Sequence, residues 1–146
     1  MTTIPRNIAA VLLGFIVGSL VNMAIITASP HIIPPPAGVD VSKVESMKAS
    51  LHLFEAKHFL FPFLAHAVGA LAGSLLAFVA AGSRRAAMAY TVSTLFLAGG
   101  IAASVMIPAP TWFKALDLTV AYLPMAWLAT RLGGRRAGEN AAGASA

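Results

Sequence analysis

The sequence predicts an all-α polytopic membrane protein, a four-helix transmembrane bundle with a short amphipathic helix in its first outer loop. Three observations predict it. Of 146 residues, 58% are hydrophobic and only 10% charged, whereas a soluble domain carries about 25% charged residues. The apolar residues are gathered into four long runs. The cations are sorted between the ends of those runs: Arg6, Arg84, Arg85, Arg131, Arg135 and Arg136 lie on one side, and Lys43, Lys48, Lys57 and Lys114 fall in the two connections on the other, matched by Asp40, Glu45, Glu55 and Asp117.

The first run, about residues 8–28, is uncharged and long enough to cross roughly 30 Å of hydrocarbon. It exceeds the apolar stretch of a secretory leader and lacks a clean small-x-small cleavage site, so a retained helix is expected. The second and third runs, about 59–82 and 86–107, are separated only by Ser83, Arg84 and Arg85, a tight turn that makes them antiparallel neighbours. The fourth, about 115–132, is the shortest and carries Asp117 near its outer end. Trp112, Trp127 and Tyr90 stand where interfacial aromatic rings are expected. Residues 1–132 thus form a single transmembrane domain, and the Gly/Ala-rich stretch 133–146 is expected to be a disordered cytoplasmic tail.

Arginine-flanked ends belong on the cytoplasmic side. That places both termini and the turn at 83–85 inside, in a bacterial inner membrane. The same sorting explains the net charge of +5 without nucleic acid, and membrane lipids are the expected contacts. The absence of cysteine excludes disulfides, thiol nucleophiles and thiolate metal sites.

Within the first outer loop, Pro30, Pro34, Pro35 and Pro36 favour an extended strut. Ser42 and Glu45 have capping-box spacing. Val44, Met47, Leu51, Phe54 and His58 then recur at three- and four-residue steps, which predicts an amphipathic helix over about 42–57, lying on the interface or over the bundle mouth as a lid or collar. His52, Glu55 and His58 fall at i, i+3 and i+6, a spacing unlike the HExxH pair that shares one helix face, so whether the outer histidines hold a metal stays open. No cofactor is expected.

Helices in lipid associate through small residues and a few polar ones. Gly14 and Gly18 in the first run, and Gly69 and Gly73 in the second, form GxxxG pairs. Their expected use is packing within one bundle, with homo-oligomerisation or docking on a larger membrane complex as the alternative. Asn22, His66, Thr119 and Tyr122 lie at a similar outer depth, with Ser104 nearby and Asp117 somewhat higher. Polar groups in hydrocarbon face the protein interior. The layer is therefore either an interhelical network, such as His66 with Asn22 or Tyr122, or a shallow ligand pocket. Pro62 and Pro124 are positioned to loosen the outer turns of their helices.

The segment from Leu51 to His66, LHLFEAKHFLFPFLAH, with the preceding stretch at 29–36, SPHIIPPP, resembles a group of small uncharacterised bacterial four-span inner-membrane proteins. The resemblance implies four spans and brings no assigned chemistry. No Ser-His-Asp spacing, phosphate loop or paired intramembrane carboxylates are present in the sequence, so an enzyme is not the expectation. A non-enzymatic accessory, assembly or structural module is expected first. An outward-facing module that binds or transports a small molecule or lipid through Asn22, His66, Thr119 and Tyr122 is the alternative.

Overall fold

The computed structural model describes residues 2–143, with side chains through residue 135. The described chain is helical, with no strand. Its elements are α1 (Thr3–Ile32), α2 (Val44–Ala49), two short 3-10 turns (Leu51–Leu53 and Ala56–Phe59), α3 (Leu60–Ala80), α4 (Arg85–Met106), α5 (Thr111–Val120) and α6 (Leu123–Gly143). Three helical segments, Thr3–Ile32, Ala56–Ala80 and Arg85–Met106, are long and apolar enough to cross a membrane, so this is a membrane protein by the length and composition of its helices.

The fourth run departs from a single span. It is two helices joined at Ala121 and Tyr122. Pro124 explains the break: it has no N–H to return to the carbonyl of Val120 and its ring crowds that turn. The chain restarts from Tyr122, whose carbonyl accepts from the amides of Met125 and Ala126 at 3.0 and 3.1 Å and from the Ser93 hydroxyl at 2.7 Å. The irregular backbone of the break is enclosed by protein, since Ala121 and Tyr122 are buried. α6 then continues to Gly143, past Gly133, where the sequence suggested that order would end. Residues 144–146 lie outside the described residues.

The centre of the molecule is a backbone seam between α1 and α3. A Cβ on Gly14 would sit 2.5 Å from the carbonyl oxygen of Gly73, and one on Gly73 would sit 2.5 Å from that of Gly14. Gly18 and Gly69 repeat the arrangement one turn away, at 2.6 and 2.8 Å. Both GxxxG pairs are therefore consumed within the bundle. α4 packs beside the seam through buried Val92, and the buried Ser74 hydroxyl donates to the carbonyl of Ala89 at 3.0 Å.

The arginine-bearing segments gather at one end. Arg6 Nε donates to the carbonyl of Ala80 at 2.9 Å, one of the orphan acceptors at the end of α3. Asn7 Oδ1 accepts from the amides of Gly82 and Ser83 at 2.9 and 3.2 Å, and its Nδ2 donates to Ser83 Oγ at 3.0 Å. Arg84 adopts φ of 46° to close the turn into α4. Gly133 of α6 packs against the Phe78 ring, which brings the Arg131 region to the same end.

The outer loop is organised differently from the single amphipathic helix the spacing suggested. α1 absorbs Pro30 and runs to Ile32, and a turn from Pro36 to Val39 follows, with Gly38 at φ 81°. Asp40 accepts from the Ser42 amide and hydroxyl at 3.0 and 2.6 Å, and Lys43 lies 3.1 Å away. Ser42 is thus engaged by Asp40 and does not cap α2. A reciprocal cap forms further on, between Glu55 and His58. Extended backbone at Phe54 and Glu55 separates the two 3-10 turns and lets Phe54 fold towards Phe59, whose ring also meets Trp112 and Phe113 at centroid distances of 5.6 and 4.9 Å. This aromatic cluster breaks the helical register of the loop.

Candidate functional site

At the end opposite the arginines, α1, α3, α4 and α5 diverge beneath the loop and leave a cavity of about 340 Å³. Its walls are mostly apolar. Ile26, Pro30 and Ile33 come from α1 and the residue after it, Phe59 and Pro62 from the entry to α3, Ala103 and Ile107 from the end of α4, and Phe113 and Leu118 from α5. The loop contributes Val41, Met47, Leu51, Phe54 and His58. Four of the five residues on the expected apolar face therefore do line one space, although the helix that was to carry them is broken.

The polar part of the wall is built on a carboxylate. Asp117 is 4% exposed, on α5 four residues before the break. His66 Nδ1 lies 2.8 and 2.9 Å from its two oxygens, and the Tyr122 hydroxyl donates to Oδ2 at 3.0 Å. The His66 and Tyr122 rings stack at a centroid distance of 5.8 Å and an interplanar angle of 28°. Gly100 of α4 makes this possible, because a Cβ there would collide with the Tyr122 hydroxyl. The helix break has the same effect from the other side: it turns Tyr122 back towards Asp117, a contact five residues apart that a straight helix would not make face to face.

Asp117 fixes the chemistry of His66. A carboxylate at Nδ1 holds the proton on that nitrogen and leaves Nε2 as the acceptor of the neutral ring. Among the described residues Nε2 has no hydrogen-bond partner, and no side-chain polar atom there is both buried and unpartnered. Since His66 lines the cavity, Nε2 opens into it. The arrangement offers a basic nitrogen, oriented from behind, at the wall of an apolar chamber. It can accept a hydrogen bond from a bound molecule or exchange a proton with one.

Two more cavity residues carry ionisable groups, beside the hydroxyl-bearing Ser29 and Ser104. Lys114 Nζ donates to the carbonyl of Ser104, an acceptor left free by the end of α4. Lys114 therefore pairs with backbone rather than with Asp117, the charge partner suggested by their proximity in sequence. His58 Nδ1 accepts from the Glu55 amide at 2.9 Å, which leaves its Nε2–H as the free donor.

The expected polar layer is thus partly assembled. His66 and Tyr122 come together, and Tyr122 supports the wall from behind without lining the cavity. Asn22 packs against Gly69 at the seam, and the partner expected for it, His66, is taken by Asp117. Thr119 is exposed and returns its hydroxyl to the carbonyls of Ala115 and Leu116 at 2.7 and 3.2 Å, the bond a helical threonine makes to its own turn. Neither Asn22 nor Thr119 lines the cavity. His52 is exposed and Glu55 is paired with Lys57 at 2.9 Å. Among the described residues no group of three His, Asp or Glu side chains is disposed to hold a metal ion.

Asp117 is the residue the sequence did not single out. Its signal was present, an ionisable residue inside an apolar run, but its place near the run's end and three residues after Lys114 made it resemble a solvated loop charge. Comparison with known proteins adds no assignment: no family model matches the chain, and neither a curated protein nor a solved structure does.

Proposed function

We propose that this chain is a bacterial inner-membrane binding module that takes a small, largely apolar molecule into the outward-facing cavity beneath its first outer loop and reads one polar group of that molecule with His66. The observation that carries the reading is the paired burial of Asp117: an ionisable triad, His66, Asp117 and Tyr122, is maintained beside an apolar cavity of about 340 Å³, within the size range of small-molecule sites. Packing alone has no need of a histidine nitrogen left open to that space.

In this reading α5 and α6 together make a fourth, broken crossing. The end that carries Arg6, the turn at 83–85 and Arg131 is cytoplasmic, as the arginine bias supports. The lysine-bearing loop and the cavity mouth face outwards. An accessory or assembly role, the first expectation from composition, has less support, because Gly14, Gly18, Gly69 and Gly73 are spent on the internal seam and do not form an open stripe for a partner helix.

The test is mass spectrometry of small molecules retained by the protein purified in mild detergent. Ala103→Trp, which fills the cavity, is expected to lose the retained molecule, and His66→Ala to weaken its retention. An unchanged profile in both variants would remove the binding reading. Orientation is tested separately with single cysteines at Ser46 and Ser83. They are expected to label from opposite sides of the membrane, and labelling from one side overturns the four-crossing topology.

A further inference from the structure

The ionisable groups that line the cavity present nitrogen to it. Lys114 brings an ammonium with three N–H donors, of which the carbonyl of Ser104 engages one. His58 presents a free Nε2–H, and His66 presents a basic Nε2. The one carboxylate, Asp117, is 4% exposed and its two oxygens are covered by His66 and Tyr122. A molecule entering this space meets a cation, one N–H donor and one basic nitrogen within apolar walls, and the negative charge is held behind the His66 ring. Charge complementarity of this kind selects an acid.

We propose that the ligand is a single-chain amphiphile with an anionic head group, carboxylate or phosphate, whose head lies between Lys114 and the Nε2–H of His58 and whose apolar body fills the space between Ile26, Phe59 and Ile107. The proposal rests on the binding reading above and narrows it to a chemical class. Size supports a single chain: about 340 Å³ lies at the small end of ligand sites. Lys114 is the specificity-determining residue, because its free N–H groups distinguish an anion from a neutral hydroxyl. His66 Nε2 accepts a hydrogen bond from an alcohol or from the O–H of a monoanionic phosphate, so it does not by itself separate anion from alcohol.

The experiment measures equilibrium binding of four radiolabelled probes, decanoate, decyl phosphate, decan-1-ol and decylamine, to the whole protein in neutral detergent. The anionic probes are expected to bind about tenfold or more tightly than the alcohol and the amine, as one charge-assisted hydrogen bond provides. Lys114→Gln is expected to reduce that preference to near parity with little change for the alcohol, and Lys114→Arg to restore it. The tighter of the two anions identifies the head group as a free carboxylic acid or a lipid-type phosphate. If the alcohol binds as well as both anions, or the amine binds best, and Ala103→Trp abolishes this binding, the anion proposal fails while the cavity reading stands. If no probe binds the wild-type protein, both fall. The comparison among probes on the wild-type chain needs no variant to fold.

Discussion

At the scale of single residues, Asp117 governs the site because it is the one acceptor shared by two ring systems. Asp117→Ala leaves the His66 Nδ1–H and the Tyr122 hydroxyl without their partner in a low-dielectric setting, and is expected to destabilise the fold by about 1–3 kcal/mol. Tyr122→Phe removes one bond and leaves His66 oriented, so a loss nearer 1 kcal/mol is expected. Both are measured by reversible unfolding in mixed detergent, and a larger cost for Tyr122→Phe than for Asp117→Ala would show that ring packing rather than the carboxylate sets the geometry. Gly100→Ala belongs with them, since its Cβ meets the Tyr122 hydroxyl. It is expected to reproduce the loss of Tyr122→Phe with no change in the chemistry of the wall.

Asp40 gives a pH prediction at the same scale. The Ser42 hydroxyl and amide, with the Lys43 ammonium, lower its carboxyl from an ordinary 3.8 to about 2. A depressed carboxyl stabilises the folded turn at pH above its ordinary value and loses that contribution as pH falls towards the lowered one. The turn before α2 is therefore expected to loosen between about pH 4 and pH 2 and to stay intact above it. The measurement is proteolytic nicking of the unaltered turn by an acid-stable protease, set against nicking of a free peptide of the same sequence at each pH. Nicking that is independent of pH across that window removes the role assigned to Asp40.

At the scale of elements, two features decide the architecture: the glycine seam and the proline break. Gly73→Val drives a branched side chain into the backbone of α1, and overpacking of this kind is expected to cost about 2 kcal/mol or more, read from the same unfolding experiment. Val79→Gly, at an exposed position on α3, serves as the comparison and is expected to cost about 0.5 kcal/mol or less, the propensity difference alone. Pro124→Ala returns a backbone donor to the α5–α6 junction. Hydrogen exchange at residues 121–125 is expected to slow as the helix heals, and the hydrogen bond from Tyr122 to Asp117 to weaken in proportion. Unchanged exchange would mean that packing around Tyr122, not proline, holds the break.

These two features also show what the sequence could disclose. GxxxG spacing is local, and its use within the bundle required only that two stripes exist to meet each other. Proline at 124 announced a weak point in the fourth run, although not that the chain would turn there to present Tyr122. The loop was legible by face and not by form. The spacing of Met47, Leu51, Phe54 and His58 showed which residues turn inwards, whereas the aromatic cluster of Phe54, Phe59, Trp112 and Phe113, assembled from two distant segments, set the breaks in the helix. The His66–Asp117 bond spans 51 positions, and no local pattern encodes such a pairing. Asn22 and Thr119 misled because depth along a helix was readable and azimuth was not.

At the scale of the whole molecule, the two ends have different work. Arg6 and Asn7 fasten α1 to the α3–α4 turn with bonds to Ala80, Gly82 and Ser83, closing one end firmly. The other end stays hollow and roofed by the loop. In the proposed binding reading, the motion that admits a ligand belongs to the loop and to the broken α5–α6 element, with the α1–α3 seam as the stationary frame. That seam has a consequence for how the protein is made. It joins two helices that are not consecutive, because the loop and its short helices lie between them. In the proposed topology, α1 can find its backbone partner only after that whole loop has been delivered to the outer side and α3 has followed. In that topology the roof of the cavity is committed to its compartment before the frame beneath it can lock, and the chamber is closed over by its own order of synthesis.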